Sequence, residues 1–153
     1  MTTLEIRPCT ADDLPAVRDL MWQLDEVAHS THDFRLDVLE KLLADMAASP
    51  ETYLNLVGVV ESRVVAFMSL LFYKTLFHTG GTALINELVV DCGFRGGGIG
   101  SILVHKAKEE AIARRMDEIE VGTERTNRPA RQFYRKCGFD QEYVLLGLEF
   151  TTP

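Results

Sequence analysis

Asn86-Glu87-Leu88-Val89-Val90-Asp91-Cys92-Gly93-Phe94-Arg95-Gly96-Gly97-Gly98-Ile99-Gly100-Ser101 decides how this chain reads. Ala83 to Val90 is an apolar, β-branched run and reads as a strand. Cys92 to Gly98 reads as a glycine-rich loop. From Ile99 the apolar spacing turns helical, through Ile102, Leu103, Ala107, Ala111 and Ile112. Glycines allow a tight turn and let a ligand approach the backbone with no Cβ between. A helix beginning directly after them offers free N–H groups and its positive dipole end. A pyrophosphate fits such a site, and Arg95 adds a fixed positive charge beside it.

Two phosphate-binding patterns fail against these residues. The P-loop ends in Gly-Lys-Ser or Gly-Lys-Thr, and no lysine follows these glycines. The dinucleotide fingerprint needs a third glycine or alanine, but counting from Gly96 reaches Ser101 and from Gly98 reaches Leu103. A third pattern fits: Arg or Gln, two residues, Gly, one residue, then Gly or Ala, met by Arg95, Gly98 and Gly100. The bland reading is a turn with no ligand.

Glu87 interrupts an otherwise apolar strand. A carboxylate on a core strand is costly unless it is paired or faces a cavity. It stands close to the strand end that feeds the loop, where open α/β sheets place their ligands. Glu87 is therefore a candidate general base, acting directly or through water. The competing reading is a half-exposed or ion-paired glutamate.

Upstream, Leu4 to Arg7 reads as a strand, and Thr10 with Asp13 as a capping box opening a helix over Ala11 to Ala28. His29 to Asp33 is polar and reads as a loop. Leu36, Leu39, Leu42, Leu43 and Met46 mark a second helix, ended at Ser49-Pro50. Tyr53 to Val60 and Val64 to Tyr73 read as a hairpin about Glu61-Ser62-Arg63, and Thr79 to Thr82 as a turn. Downstream come a strand at Ile119 to Thr123 and a helix at Arg128 to Cys137 with Asn127 as its N-cap. Gly138 stops that helix, and a terminal strand follows at Tyr143 to Phe150. Strands joined through a helix pair in parallel. The expected fold is thus α/β, with a mixed central sheet flanked by helices, in a single domain over 1–153.

Tyr134 lies on the helix after Asn127, in Thr126-Asn127-Arg128-Pro129-Ala130-Arg131-Gln132-Phe133-Tyr134-Arg135-Lys136-Cys137-Gly138-Phe139. Its hydroxyl is a candidate general acid, against the plainer reading of a core aromatic. With this motif placed after INELVV and RGGGIG, the chain resembles the GNAT family of N-acetyltransferases, over roughly residues 83 to 139. The resemblance implies acetyl-CoA as donor and an amine as acceptor, joined in a ternary complex. It implies that the strand Leu88 to Val90 bulges and splays from its parallel neighbour, with Leu88, Val89 and Val90 bonding the pantetheine arm. It implies that Arg95, Gly96, Gly97, Gly98, Ile99, Gly100 and Ser101 hold the pyrophosphate, that Asn127 contacts the arm, and that Tyr134 protonates the leaving sulfur. Glu87 is the chosen base. Many relatives end in two long strands, whereas only Asp140 to Pro153 follow the motif here. That leaves an open sheet edge, which suits a homodimer.

Composition narrows the partners. With Lys and Arg at 16 against Asp and Glu at 23, the net charge of -7 disfavours nucleic acid and suits a cationic substrate. The acceptor side offers Trp22, Asp25, His29 and Phe34, among the acids Glu26, Asp33 and Asp37. A small cationic amine such as an aminoglycoside or polyamine is expected, with a protein or peptide amine, or a CoA-binding regulator without turnover, as rivals. Cys9, Cys92 and Cys137 suit a reducing compartment and form no metal spacing, and His29 and His32 have no further ligands beside them. No apolar leader or membrane run is seen, so the expectation is a cytoplasmic protein without metal or membrane partner.

Overall fold

The computed structural model describes residues 3–28 and 32–150. The chain gathers into two units, Met1–Val121 and Gly122–Pro153. The first runs β1 (Leu4–Pro8), a 3-10 turn (Ala11–Asp13), α1 (Leu14–Ala28), α2 (Leu36–Ala47), β2 (Tyr53–Val60), β3 (Arg63–Tyr73), β4 (Thr82–Val90), a second 3-10 turn (Cys92–Phe94), α3 (Ile99–Ala113) and β5 (Glu118–Val121). Its strands form one sheet in the order β1-β2-β3-β4-β5. Neighbours from β1 to β4 are antiparallel, while β4 and β5 are parallel, so the sheet is mixed as expected.

Local chemistry explains the joints. Asp13 accepts from the Thr10 N–H at 2.8 Å and the Thr10 hydroxyl at 3.1 Å, closing the start of the helical segment. Arg7 on β1 grips the same carboxylate through two nitrogens, at 2.7 and 2.8 Å. That bond, aided by Thr10 and opposed by burial, lowers the Asp13 carboxyl to about 2. Between β2 and β3, Glu61 and Ser62 both take positive φ, 48° and 65°. Two such residues make the turn whose twist matches a hairpin, achieved here without glycine.

The α1 face of the sheet is closed by Val17 and Leu20 against Val57, Val59, Phe67 and Val89. Leu103, Val104, Ala107 and Ala111 bury the inner stripe of α3. One end of the parallel pair is fastened by a clasp. The Gly80 N–H donates to Asp117 Oδ2 at 2.7 Å, and the Asp117 N–H donates to the Gly81 carbonyl at 3.0 Å. Gly80 is required there, because a Cβ would stand 1.9 Å from the Arg115 carbonyl oxygen.

The second unit is built on α4 (Arg128–Lys136). Asn127 Oδ1 accepts from the Ala130 N–H at 3.2 Å and caps its start. At its end Gly138 takes φ 98°, the left-handed form that glycine adopts freely. The Gly138 N–H returns to the Arg135 carbonyl and the Phe139 N–H to the Tyr134 carbonyl. Arg131 and Arg135 both bond Glu142.

One sequence expectation fails here. Tyr143 to Phe150 carries strand-forming residues, yet no strand exists among the described residues 140–150. A strand forms only where a neighbouring strand completes its ladder, and strand-forming residues alone do not supply one.

Candidate functional site

β4 does two jobs along its length. From Thr82 to Ile85 it pairs with Glu118 to Val121 of β5, and there the parallel ladder stops. β4 itself continues to Val90. From Asn86 to Val90 the strand has no β5 partner, which leaves main-chain groups unpaired along that edge. The ladder stops because β5 ends at Val121 while β4 runs on. The bulge sits slightly upstream of the expected Leu88 to Val90. Ser69 pairs with Glu87 and Leu70 with Ile85, so Asn86 is the extra residue.

Glu87 lies two residues from Val89, on the sheet face that α1 covers. The Ser69 hydroxyl donates to its carboxylate, and the Asn86 amide donates to the other oxygen at 3.2 Å. The Glu87 N–H in turn donates to Ser69 Oγ at 3.2 Å. The side chain is thus half-buried and oriented by two donors. Ser69, itself 6% exposed, was not legible as a site residue because its partner is 18 positions away.

The turn after β4 is held from three sides. Asp91 Oδ1 accepts from the Gly93 N–H at 3.0 Å. Gln23 of α1 donates from Nε2 to Asp91 Oδ2 at 3.2 Å, and its Oε1 accepts from the Cys92 N–H at 2.9 Å. Arg63 Nη2 reaches Asp91 Oδ2 at 3.3 Å. Burial works against the Asp91 carboxylate, yet Gln23, the Gly93 N–H and the charges of Arg63 and Arg95 hold its pKa below the ordinary value. Arg95 folds back so that Nε donates to the Val90 carbonyl at 2.9 Å.

Gly96 and Gly98 take φ 79° and 85°. No atom lies within 4 Å of where either Cβ would stand, so conformation, not crowding, demands glycine. Gly98 is the N-cap of α3 and offers no side-chain acceptor. The Ile102 N–H finds the Gly98 carbonyl at 3.1 Å. The N–H groups of Ile99, Gly100 and Ser101 precede it and have no helical carbonyl to meet. The Gly96 to Gly98 stretch is exposed, with Gly100 half-buried and Ser101 exposed.

On the acceptor side, Trp22 is 41% exposed, with the Arg18 guanidinium 4.9 Å from its ring centre. Asp25 accepts from His32 twice, from its N–H at 3.2 Å and its Nδ1 at 3.0 Å. The Phe34 ring lies 5.9 Å from the His32 ring. Asp25 and Phe34 therefore meet through His32. His29 lies outside the described residues. Arg35 engages Asp37.

In the second unit, Tyr134 sits on α4 between two aromatic rings, with Phe133 at 5.0 Å and Phe139 at 5.6 Å, both edge-on. The Phe139 contact is the hydrophobic closure of the glycine-terminated helix end. Burial, with a smaller effect from Cys137, pushes the Tyr134 hydroxyl up to about 12. The hydroxyl therefore keeps its proton near neutral pH. Among the described residues, no cluster of His, Cys, Asp and Glu could hold a metal ion, and no helix is long and apolar enough to cross a membrane.

The site thus joins a mixed sheet, whose parallel ladder stops at Ile85, to a glycine turn that opens onto a helix. Glucosamine-6-phosphate N-acetyltransferase of Arabidopsis thaliana superposes with a TM-score of 0.82 at 19% identity, over 97% of this chain and 99% of that one. Residues 14–139 match the Acetyltransferase (GNAT) family. Aminoalkylphosphonate N-acetyltransferase of Salmonella typhimurium is 30% identical over 143 residues, covering 94% of this chain and 89% of that protein. An uncharacterized N-acetyltransferase of Methanocaldococcus jannaschii is 45% identical over 67 residues, which is 42% of this chain and only 29% of that relative's length. The chain belongs to the GNAT family of acetyltransferases.

Proposed function

We propose that residues 1–153 act as one cytoplasmic N-acetyltransferase domain that moves acetyl from acetyl-CoA to a primary amine by direct attack in a ternary complex. The observation that carries this reading is the left-handed Gly96 and Gly98 turn, which leaves the first N–H groups of α3 unpaired beside a β4 edge that outruns β5. Acetyl-CoA arrives as an activated thioester, so the chain's main task is alignment. In this reading the N–H groups from Gly96 to Ser101 take the pyrophosphate, with Arg95 supplying charge. Main-chain groups of Leu88, Val89 and Val90 take the pantetheine arm, and the Leu88 N–H polarises the thioester carbonyl. The Asn127 carbonyl is spent on its cap, which leaves its amide nitrogen for the arm.

Glu87 takes a proton from the ammonium form of the acceptor. The freed amine attacks the carbonyl carbon, the carbon–sulfur bond breaks, Tyr134 gives its proton to the departing thiolate, and the proton shed by the new amide nitrogen passes through solvent to restore the tyrosine. The acceptor is read as a small cationic amine, such as an aminoglycoside or polyamine, met by Trp22, Asp25, His29 and Phe34. The acids support this less than their number suggests, because Asp25 is bonded to His32 and Asp37 to Arg35. Kinship with the Salmonella enzyme supports adding small amines that carry a phosphonate. A homodimer belongs to the same reading, because β5 ends the sheet.

The test is thermal unfolding with acetyl-CoA beside equal doses of NAD and ATP, followed by CoA release with a panel of amines. A ligand at a hundred times its Kd adds about 2.7 kcal/mol of stability. A shift with acetyl-CoA alone supports the donor. Equal shifts with all three, or none, overturn it.

A further inference from the structure

We propose that Arg63 is a positioning residue for the cofactor: from the start of β3 it clamps the turn that leads into the glycines and cancels the Asp91 charge beside it. The inference rests on the reading of Gly96 to Ser101 as the pyrophosphate cradle. The β2–β3 hairpin puts Arg63 in place. Glu61 and Ser62 make its turn, and Arg63 opens β3 opposite Val60. β3 and β4 run in register from the pair Ala66 and Val90, and the Asp91 N–H donates to the Val65 carbonyl at 2.8 Å. Arg63 and Val64 therefore overshoot the end of β4, by about 7 Å at the usual rise per residue. That brings Arg63 to the Cys92–Phe94 turn.

One guanidinium touches both ends of this turn. Asp91 is its N-cap and Phe94 its last residue. Arg63 Nη2 reaches Asp91 Oδ2 at 3.3 Å. The same guanidinium stands 5.2 Å from the centre of the Phe94 ring, within the range of a cation–π contact. Arg95 and the glycines follow Phe94 directly, so a fixed Phe94 fixes where the cradle begins. The hairpin is in this way tied to a loop about 30 positions further along the chain, as the contact with Asp91 at a separation of 28 shows.

Charge gives Arg63 its second task. Burial opposes the Asp91 charge, yet Gln23, the Gly93 N–H, Arg63 and Arg95 together hold its pKa below the ordinary value, so the carboxylate is ionised at neutral pH. An unmatched carboxylate at the entrance to the cradle weakens its pull on a diphosphate. Gln23 and the Gly93 N–H hold Asp91 in place without charge. Arg63 is the cation in contact with it. The neutral donors keep the shape of the turn, and Arg63 supplies the countercharge.

The test is calorimetric binding of acetyl-CoA and of S-acetylpantetheine, which has the arm and the thioester but neither pyrophosphate nor nucleoside. The wild type is expected to bind acetyl-CoA the more tightly. Arg63→Gln is expected to weaken acetyl-CoA roughly fivefold, the size of a partly exposed charge pair, and to leave S-acetylpantetheine unmoved. Arg63→Lys, which keeps the charge, is expected to retain most of the affinity. Arg63→Met repeats the loss of charge with the apolar stem kept, and circular dichroism verifies that each variant folds. Unchanged acetyl-CoA affinity in Arg63→Gln overturns the role. Equal weakening of both ligands, or an Arg63→Lys as weak as Arg63→Gln, overturns it too. A wild type that binds the two ligands alike overturns the cradle itself, and that result is read before any variant is made.

Discussion

Gln23 and Asp91 are 68 positions apart and meet side chain to side chain at the end of β4, 3.2 Å from nitrogen to oxygen. The same amide receives the Cys92 N–H, so one side chain of α1 fixes the strand end that leads into the glycine turn. The helix that carries Trp22 and Asp25 is thereby tied to the loop that reads as the pyrophosphate cradle.

Gln23→Ala removes a donor from Asp91 and leaves the Cys92 N–H without its partner. A buried unpaired group costs about 1–3 kcal/mol, and less where water reaches it, as at the exposed Cys92. The expected result is a lower unfolding temperature and a several-fold rise in KM for acetyl-CoA, with kcat at saturation nearly unchanged. Steady-state kinetics with either substrate varied checks it. A fall in kcat with KM unmoved would remove Gln23 from the cofactor side.

Tyr134→Phe keeps both ring contacts and removes only the hydroxyl. As general acid, Tyr134 is expected to be worth tenfold or more in kcat, with acetyl-CoA affinity unchanged. Its proton is held to about 12, so the wild-type rate is expected to show no loss from tyrosine ionisation through pH 9. Calorimetric binding and a pH–rate profile give both readouts.

Glu87→Gln leaves a side chain that still accepts from Ser69 but takes no proton. The expected effect is a pH–rate profile displaced to higher pH, where the acceptor amine loses its own proton. An unmoved profile would assign the proton to water or to the acceptor itself.

Asp13 sets an acid limit on stability. Its folded pKa is depressed, so the stabilisation is fully present above the ordinary value of 3.8 and fades as pH falls toward about 2. The contribution is about 1–2 kcal/mol, discounted because the Arg7 end of the pair is a third exposed. Denaturant unfolding is expected to show this loss between pH 4 and 2 in the wild type and a flatter curve in Asp13→Asn.

Much of this was legible because the signals are local. Thr10 and Asp13, Asn127 and Ala130, and Gly138 before Phe139 each act within a few residues, so sequence order reports their geometry. The β4 to α3 turn was legible because glycine adopts φ values such as those at Gly96 and Gly98 without the strain a side chain brings. The partners of Glu87 and Asp91 were not, since Ser69 and Gln23 reach them only after the sheet and α1 have packed. The terminal strand misled for a physical reason. Periodicity reports that a segment is fit for a ladder, and it does not supply the neighbouring strand.

The clasp at Gly80 and Gly81 fixes the end of the parallel pair from which both strands start, so the place where β5 runs out is fixed as well. The two strands are joined from Thr82 to Ile85, and beyond that only β4 continues. The free edge from Asn86 to Val90 is about 16 Å long at the usual rise per residue. A thread-like molecule that paired with that edge would meet the first β5 rung at Ile85. In the proposed reading the length of that free edge, set by where the rungs end, measures how much ladder is open to the arm of the cofactor.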